Sequence, residues 1–163
     1  MSINCNRIVS CIDAPLGRLL ERIARESGSL ASAFSQGYRS YPWQRFKRLL
    51  ADILAECIAS NADGVREIYL HELHGGEPAN VGELGGKDID LILVVRDGAE
   101  GDVEELERCV ESYLENRLRE ALGGKDPLSM LGIPNIVELQ PQKNRGCRRF
   151  RYSQPIRIWP PGG

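Results

Sequence analysis

Asp88 and Asp90 stand two residues apart at the head of the run Ile89-Asp90-Leu91-Ile92-Leu93-Val94-Val95. In a strand, side chains at i and i+2 share a face, so this spacing predicts two carboxylates projecting together. Ile89, Leu91, Leu93 and Val95 would line the opposite face, while Ile92 and Val94 continue the aspartate face into the core. A run this apolar reads as a central strand covered on both sides. Two adjacent carboxylates at its end repel each other and are costly to desolvate. A divalent cation relieves both penalties, and hard oxygen donors of this kind suit Mg2+, or Mn2+ in its place. The competing reading is structural, with Asp88 capping the strand and Asp90 a solvated edge residue. The position of Asp90 inside the apolar run argues against it.

The elements that would position these residues lie on either side. Upstream, Val65 to Leu73 reads as a strand running into His74-Gly75-Gly76. The loop from 74 to 87 also holds Gly82, Gly85 and Gly86. Glycines let backbone N–H groups approach phosphates closely, although the same composition suits a plain flexible loop. Lys87, next to Asp88, either contacts a phosphate or balances the local charge. His71 and His74 fall on opposite faces of a strand, so a shared metal is not expected of them. Downstream, Asn135-Ile136-Val137-Glu138-Leu139 is a second apolar strand with one acid inside it.

This order is a strand, Gly75-Gly76, a gap, Asp88-Ile89-Asp90, and a later strand bearing Glu138. It resembles the nucleotidyltransferase superfamily related to DNA polymerase beta, over residues 65 to 140. The resemblance implies that Asp88, Asp90 and Glu138 are catalytic metal ligands. It also implies that Gly75, Gly76 and Lys87 contact the phosphates of a nucleoside triphosphate such as ATP. The implied reaction is metal-dependent transfer of a nucleoside monophosphate to a hydroxyl of a protein, a tRNA or a small molecule. The chain shows no large second domain to select that acceptor, which points to a helical partner protein or a homo-oligomer, as for the small family members of toxin–antitoxin pairs. The alternative is a catalytically degenerate module that binds a nucleotide or RNA, or the antitoxin-like partner of a helical protein. Glu77-Pro78 after the glycine pair, where the family often has Ser, favours that alternative.

The composition sets the frame. A chain of 163 residues with 42% hydrophobic and 27% charged residues is long enough for one domain with a real core. A net charge of -2 gives no global drive towards nucleic acid or an anionic membrane. No apolar stretch is long enough to span a bilayer, and Met1 to Arg7 lacks the pattern of a signal peptide. The expectation is a cytoplasmic protein with no membrane association. Cys5, Cys11, Cys57, Cys109 and Cys147 form no zinc-like cluster. Cys57 and Cys109 fit helical core positions, and Cys5 and Cys11 would pair in an oxidising compartment or in a hyperthermophile.

Apolar spacing predicts a helix over 14 to 27, ended by Gly28 and the serines after it, and a second opening at Pro42 with Trp43, Phe46, Leu49, Leu50, Ile53, Leu54, Cys57 and Ile58 inside. Asp102 with Glu105 reads as a capping box for a long helix ending at Gly123-Gly124. Strands are expected at 65 to 73, 88 to 96, 135 to 140 and near 148 to 158. The fold class is therefore α+β, a mixed sheet with helices mainly on one face. Residues 1-60 would supply helices packing on the sheet, and 61-163 the nucleotidyltransferase-like core, in one compact domain. Two basic groups complete the inventory. Lys143, Arg145, Arg148, Arg149, Arg151 and Arg157, interleaved with Phe150 and Tyr152, either bind a triphosphate or polynucleotide or guard a sheet edge. Arg39, Arg45, Lys47 and Arg48 are expected on the polar face of the second helix.

Overall fold

A computed structural model describes residues 3–71, 86–142 and 155–162. Three helices come first: α1 (Cys5–Ser27), α2 (Leu30–Phe34) and α3 (Tyr41–Asn61). Strands β1 (Val65–Leu70) and β2 (Ile89–Val95) follow. Then come α4 (Glu100–Ala121), the short α5 (Pro127–Leu131), β3 (Val137–Gln142) and β4 (Ile156–Trp159). The order across the sheet is β3-β2-β1-β4. β1 pairs antiparallel with both β2 and β4, whereas β2 and β3 are parallel. Parallel neighbours need a crossover, and α4 with α5 provides it. The α+β class and mixed sheet are thus as expected from the sequence.

Alternation explains the layering. Ile68 and Leu70 on β1, Ile89, Leu91, Leu93 and Val95 on β2, and Val137 and Leu139 on β3 join the helices in one apolar core. On β2 the other face carries Asp90, then Ile92 and Val94, both buried. α1 contributes Ile8, Ile12, Leu16, Leu19, Leu20 and Ile23 to the core, and α3 contributes Trp43, Phe46, Leu50, Leu54 and Ile58. Phe34 of α2 meets Trp43 edge-on with ring centroids 5.5 Å apart. No helix among the described residues is long and apolar enough to cross a membrane.

Several boundaries differ from the sequence expectation for identifiable reasons. α1 begins at Cys5 rather than near residue 14, because the apolar stripe extends back through Ile8 and Ile12 and the Asn4 side chain accepts from the Arg7 N–H at 3.1 Å. Pro15, which resembles a helix start, lies inside this helix. α4 begins at Glu100, so Asp102 is in its first turn and is not the cap. There its carboxylate still suits the positive end of the helix dipole. Gly123 and Gly124 end α4 at φ of 68° and 95°, as the glycine pair predicted. The loop expected after it contains α5, whose first turn is capped by Asp126 accepting from the Leu128 N–H at 3.2 Å.

The cysteines pair differently from expectation. Cys5 bonds Cys109, and Cys11 bonds Cys57. Cys5 and Cys11 lie on one continuous helix, about 9 Å apart along its axis. That is beyond the Cα separation a disulfide tolerates. The two bridges instead tie α1 to α4 and to α3. Cys57 and Cys109, expected as simple core residues, are the partners.

Candidate metal centre

The parallel pairing of β2 and β3 sets Asp90 directly beside Glu138. Asp88 lies one residue before β2, on the same side as Asp90. The structure brings together the acids that the sequence singles out. One carboxylate oxygen from each of Asp88, Asp90 and Glu138 lies within 4.8 Å of the others, and each residue is half-buried. Such a triad can hold a metal ion. Its donor set fits a hard divalent cation, since three carboxylates supply oxygen ligands and negative charge and leave room for other ligands. The crowding marks Glu138. Burial and then the neighbouring Asp88 carboxylate hold its carboxyl above the ordinary glutamate range, against hydrogen bonding with Asp90 and Asn135 that acts the other way.

The segment entering the site is fixed from α3. The Trp43 indole Nε1 donates to the Lys87 carbonyl at 2.7 Å. The Gln44 amide Nε2 donates to the Gly86 carbonyl at 3.0 Å and to the Tyr38 carbonyl at 2.7 Å. Lys47 Nζ donates to the Gly86 carbonyl at 2.7 Å and to the Asp88 carbonyl at 3.0 Å. Lys47 is only 1% exposed, which corrects its placement on a solvated helix face. The reason is geometric: positions 43, 47, 50 and 54 follow one stripe of α3, and the lysine stem packs within it while the ammonium reaches carbonyls. Of the other basic residues there, Arg45 pairs with Glu26 at 3.2 Å and Arg48 with Asp52 at 2.9 Å. Arg39 Nε donates to the Tyr38 hydroxyl at 3.1 Å.

Three further residues complete the surroundings. Asn135 Nδ2 donates to Asp88 Oδ2 at 3.0 Å and to the Val137 carbonyl at 3.1 Å, linking the first aspartate to the start of β3. His71 lies across from Asp90 by continuation of the β1–β2 register, and its N–H donates to the Asp90 carbonyl at 2.9 Å. Burial lowers the pKa of its imidazole. The Lys87 ammonium stands 5.5 Å from the centre of the Tyr38 ring, and Lys87 is exposed. Sequence reading missed Asn135, although it sits three residues before Glu138. It weighed His71 only as a partner of His74, and the place of His71 beside Asp90 follows only from strand register.

The remaining candidates divide. Gly75, Gly76 and His74 lie outside the described residues, as do Lys143, Arg145, Arg148, Arg149 and Arg151. Arg157 is on β4, where its guanidinium reaches Glu67 of β1 at 4.0 Å while the Tyr69 hydroxyl donates to the same carboxylate at 3.0 Å. No protein-family model matches the chain, and comparison with curated proteins and with solved structures likewise gave no match.

Proposed function

We propose that the chain is a metal-dependent nucleotidyltransferase that moves a nucleoside monophosphate from a nucleoside triphosphate to an acceptor hydroxyl. One observation carries the reading: Asp88, Asp90 and Glu138 converge within 4.8 Å from two parallel strands. Asp88 and Asp90 would hold Mg2+ or Mn2+, with Glu138 completing the set. The bound cation would supply charge neutralisation and Lewis-acid polarisation of the phosphates. Asn135 occupies one lone pair of Asp88 Oδ2 and so orients that carboxylate. Glu138, with its carboxyl held above the usual range, is suited to take the proton of the attacking hydroxyl. Lys87, together with Gly75 and Gly76, is assigned to the phosphates on the strength of the family resemblance.

The test is calorimetric titration of Mg2+ or Mn2+ with each of the four nucleoside triphosphates. Wild type is compared with the Asp88→Ala/Asp90→Ala double variant. Metal-dependent nucleotide binding in the wild type, lost in the variant, is the expected result. Wild-type binding of metal without any nucleotide would reduce the site to a cation site. Absence of both would overturn the reading.

A further inference from the structure

Among the described residues β3 is an edge strand, with β2 on one side and no strand on the other. Along it, successive N–H groups point alternately towards β2 and away from it. The N–H of Ile89 donates to the Ile136 carbonyl at 2.8 Å. In parallel register this directs the Glu138 N–H to β2 and those of Val137 and Leu139 outward. An edge N–H is usually left to water or to another strand. Here both outward groups are taken by carboxylates of α4. Val137 N–H donates to Glu111 Oε1 at 2.8 Å, and Leu139 N–H donates to Glu107 Oε2 at 2.7 Å. Glu111 also accepts from the Ile136 N–H at 2.9 and 3.0 Å. The glutamates are four apart, one helical turn, and the amides two apart, so the repeats of helix and strand match closely enough for a two-point clamp.

The residue between the clamped amides is Glu138. We infer that Glu107 and Glu111 are positioning residues that hold Glu138 in register beside Asp90. They act through the β3 backbone and contribute no ligand of their own. The inference deepens the metal-site reading above and rests on it for its functional consequence. The backbone geometry is separate from that consequence. Nearby acidic residues give no simple electrostatic substitute, because a carboxylate that accepts two or three backbone N–H groups fixes direction as well as charge.

The experiment compares wild type with Glu107→Ala/Glu111→Ala and with Glu107→Gln/Glu111→Gln, each checked for a folded circular dichroism spectrum. Glutamine keeps one acceptor oxygen and removes the charge. Two readouts are taken: amide hydrogen exchange at Glu138, whose N–H the glutamates do not touch, and Mn2+ affinity by calorimetry. The alanine pair should speed exchange at Glu138 by about tenfold and weaken Mn2+ binding by about tenfold, the range found when groups supporting metal ligands are removed. The glutamine pair should restore both to within about threefold. Unchanged exchange at Glu138 in the alanine variant overturns the positioning role, and so does faster exchange with unchanged Mn2+ affinity. If wild type binds no Mn2+, the metal reading fails by itself, and exchange at Glu138 still decides whether the clamp holds the register. Should the alanine pair fail to fold, each single alanine variant is read in the same two ways.

Discussion

Asn135 lies outside the carboxylate triad and yet is bonded to it. Its amide ties Asp88 to the Val137 carbonyl, so it joins the acid before β2 to the strand carrying Glu138. Replacing Asn135 with Ala is expected to weaken Mn2+ binding by about tenfold, with every carboxylate still present; calorimetry checks this. Glu138 adds a pH dependence of defined sign. Its carboxyl is held above the ordinary range by burial and by Asp88, and a cation must displace its proton. Mn2+ affinity is therefore expected to rise with pH through that raised value, more steeply in wild type than in Glu138→Gln. Lys47 is the other dependency. Its ammonium serves the Gly86 and Asp88 carbonyls from inside the core. Lys47→Met removes that donor from the part-buried Asp88 carbonyl and leaves the Gly86 carbonyl, among the described residues, with Gln44 alone, at a cost of about 1–3 kcal/mol, measured by urea unfolding. The acid pair was legible because a strand's period is two and the run around it is apolar. Lys47 was not, because a lysine next to Phe46 and Arg48 reads as surface until the carbonyls it reaches are known.

At the scale of elements, the site is a product of register. Asp90 and Glu138 are 48 positions apart by their numbering, yet adjacent because β2 and β3 pair in parallel. The sequence indicates that both strands exist. Their alignment depends on the crossover through α4 and α5 and on the clamp along the outer edge of β3. The same gap explains α2 and α5, each five residues long, too short to express a helical period. Glu111 makes the α4–β3 junction pH-sensitive. Burial first, and then hydrogen bonding to Glu115 and that residue's charge, push its carboxyl up to about 7, while the amides of Ile136 and Val137 pull it the other way. An acid whose folded pKa exceeds its unfolded value takes up more protons when folded. Its contribution to stability is therefore fully present below the unfolded value and lost as pH rises through about 7. Unfolding free energy in urea is expected to decline between pH 5 and pH 8 in wild type. Glu111→Gln should flatten that decline; an identical slope in the variant would remove Glu111 as its source.

At the scale of the whole molecule, α1 joins the helical layer through packing and through two covalent ties. The bridges close chain separations of 104 residues for Cys5–Cys109 and 46 for Cys11–Cys57. In the chain-entropy account, the longer loop stabilises the fold by about 5 kcal/mol and the shorter by about 4 kcal/mol, and the two do not simply add, since their loops overlap. Bonds of this kind persist in oxidising compartments and in the cytosol of hyperthermophiles, so the expected cytoplasmic location now carries that condition. Both bridges join helix to helix, α1 to α4 and α1 to α3, whereas the carboxylates sit at the β2–β3 pair. Stability and metal binding should therefore separate. Alkylation without reductant is expected to leave Cys5, Cys11, Cys57 and Cys109 unmodified in a peptide mass map. Reduction should then lower the unfolding free energy by about 4 kcal/mol or more in urea. Mn2+ affinity of the reduced protein, measured where it is still folded, should stay within about threefold of the oxidised value, below the loss expected when a ligand's support is removed. A loss of Mn2+ binding that tracked reduction would mean that the helices transmit their position through α3 to Gly86, Lys87 and Asp88, the segment that Trp43, Gln44 and Lys47 hold in place.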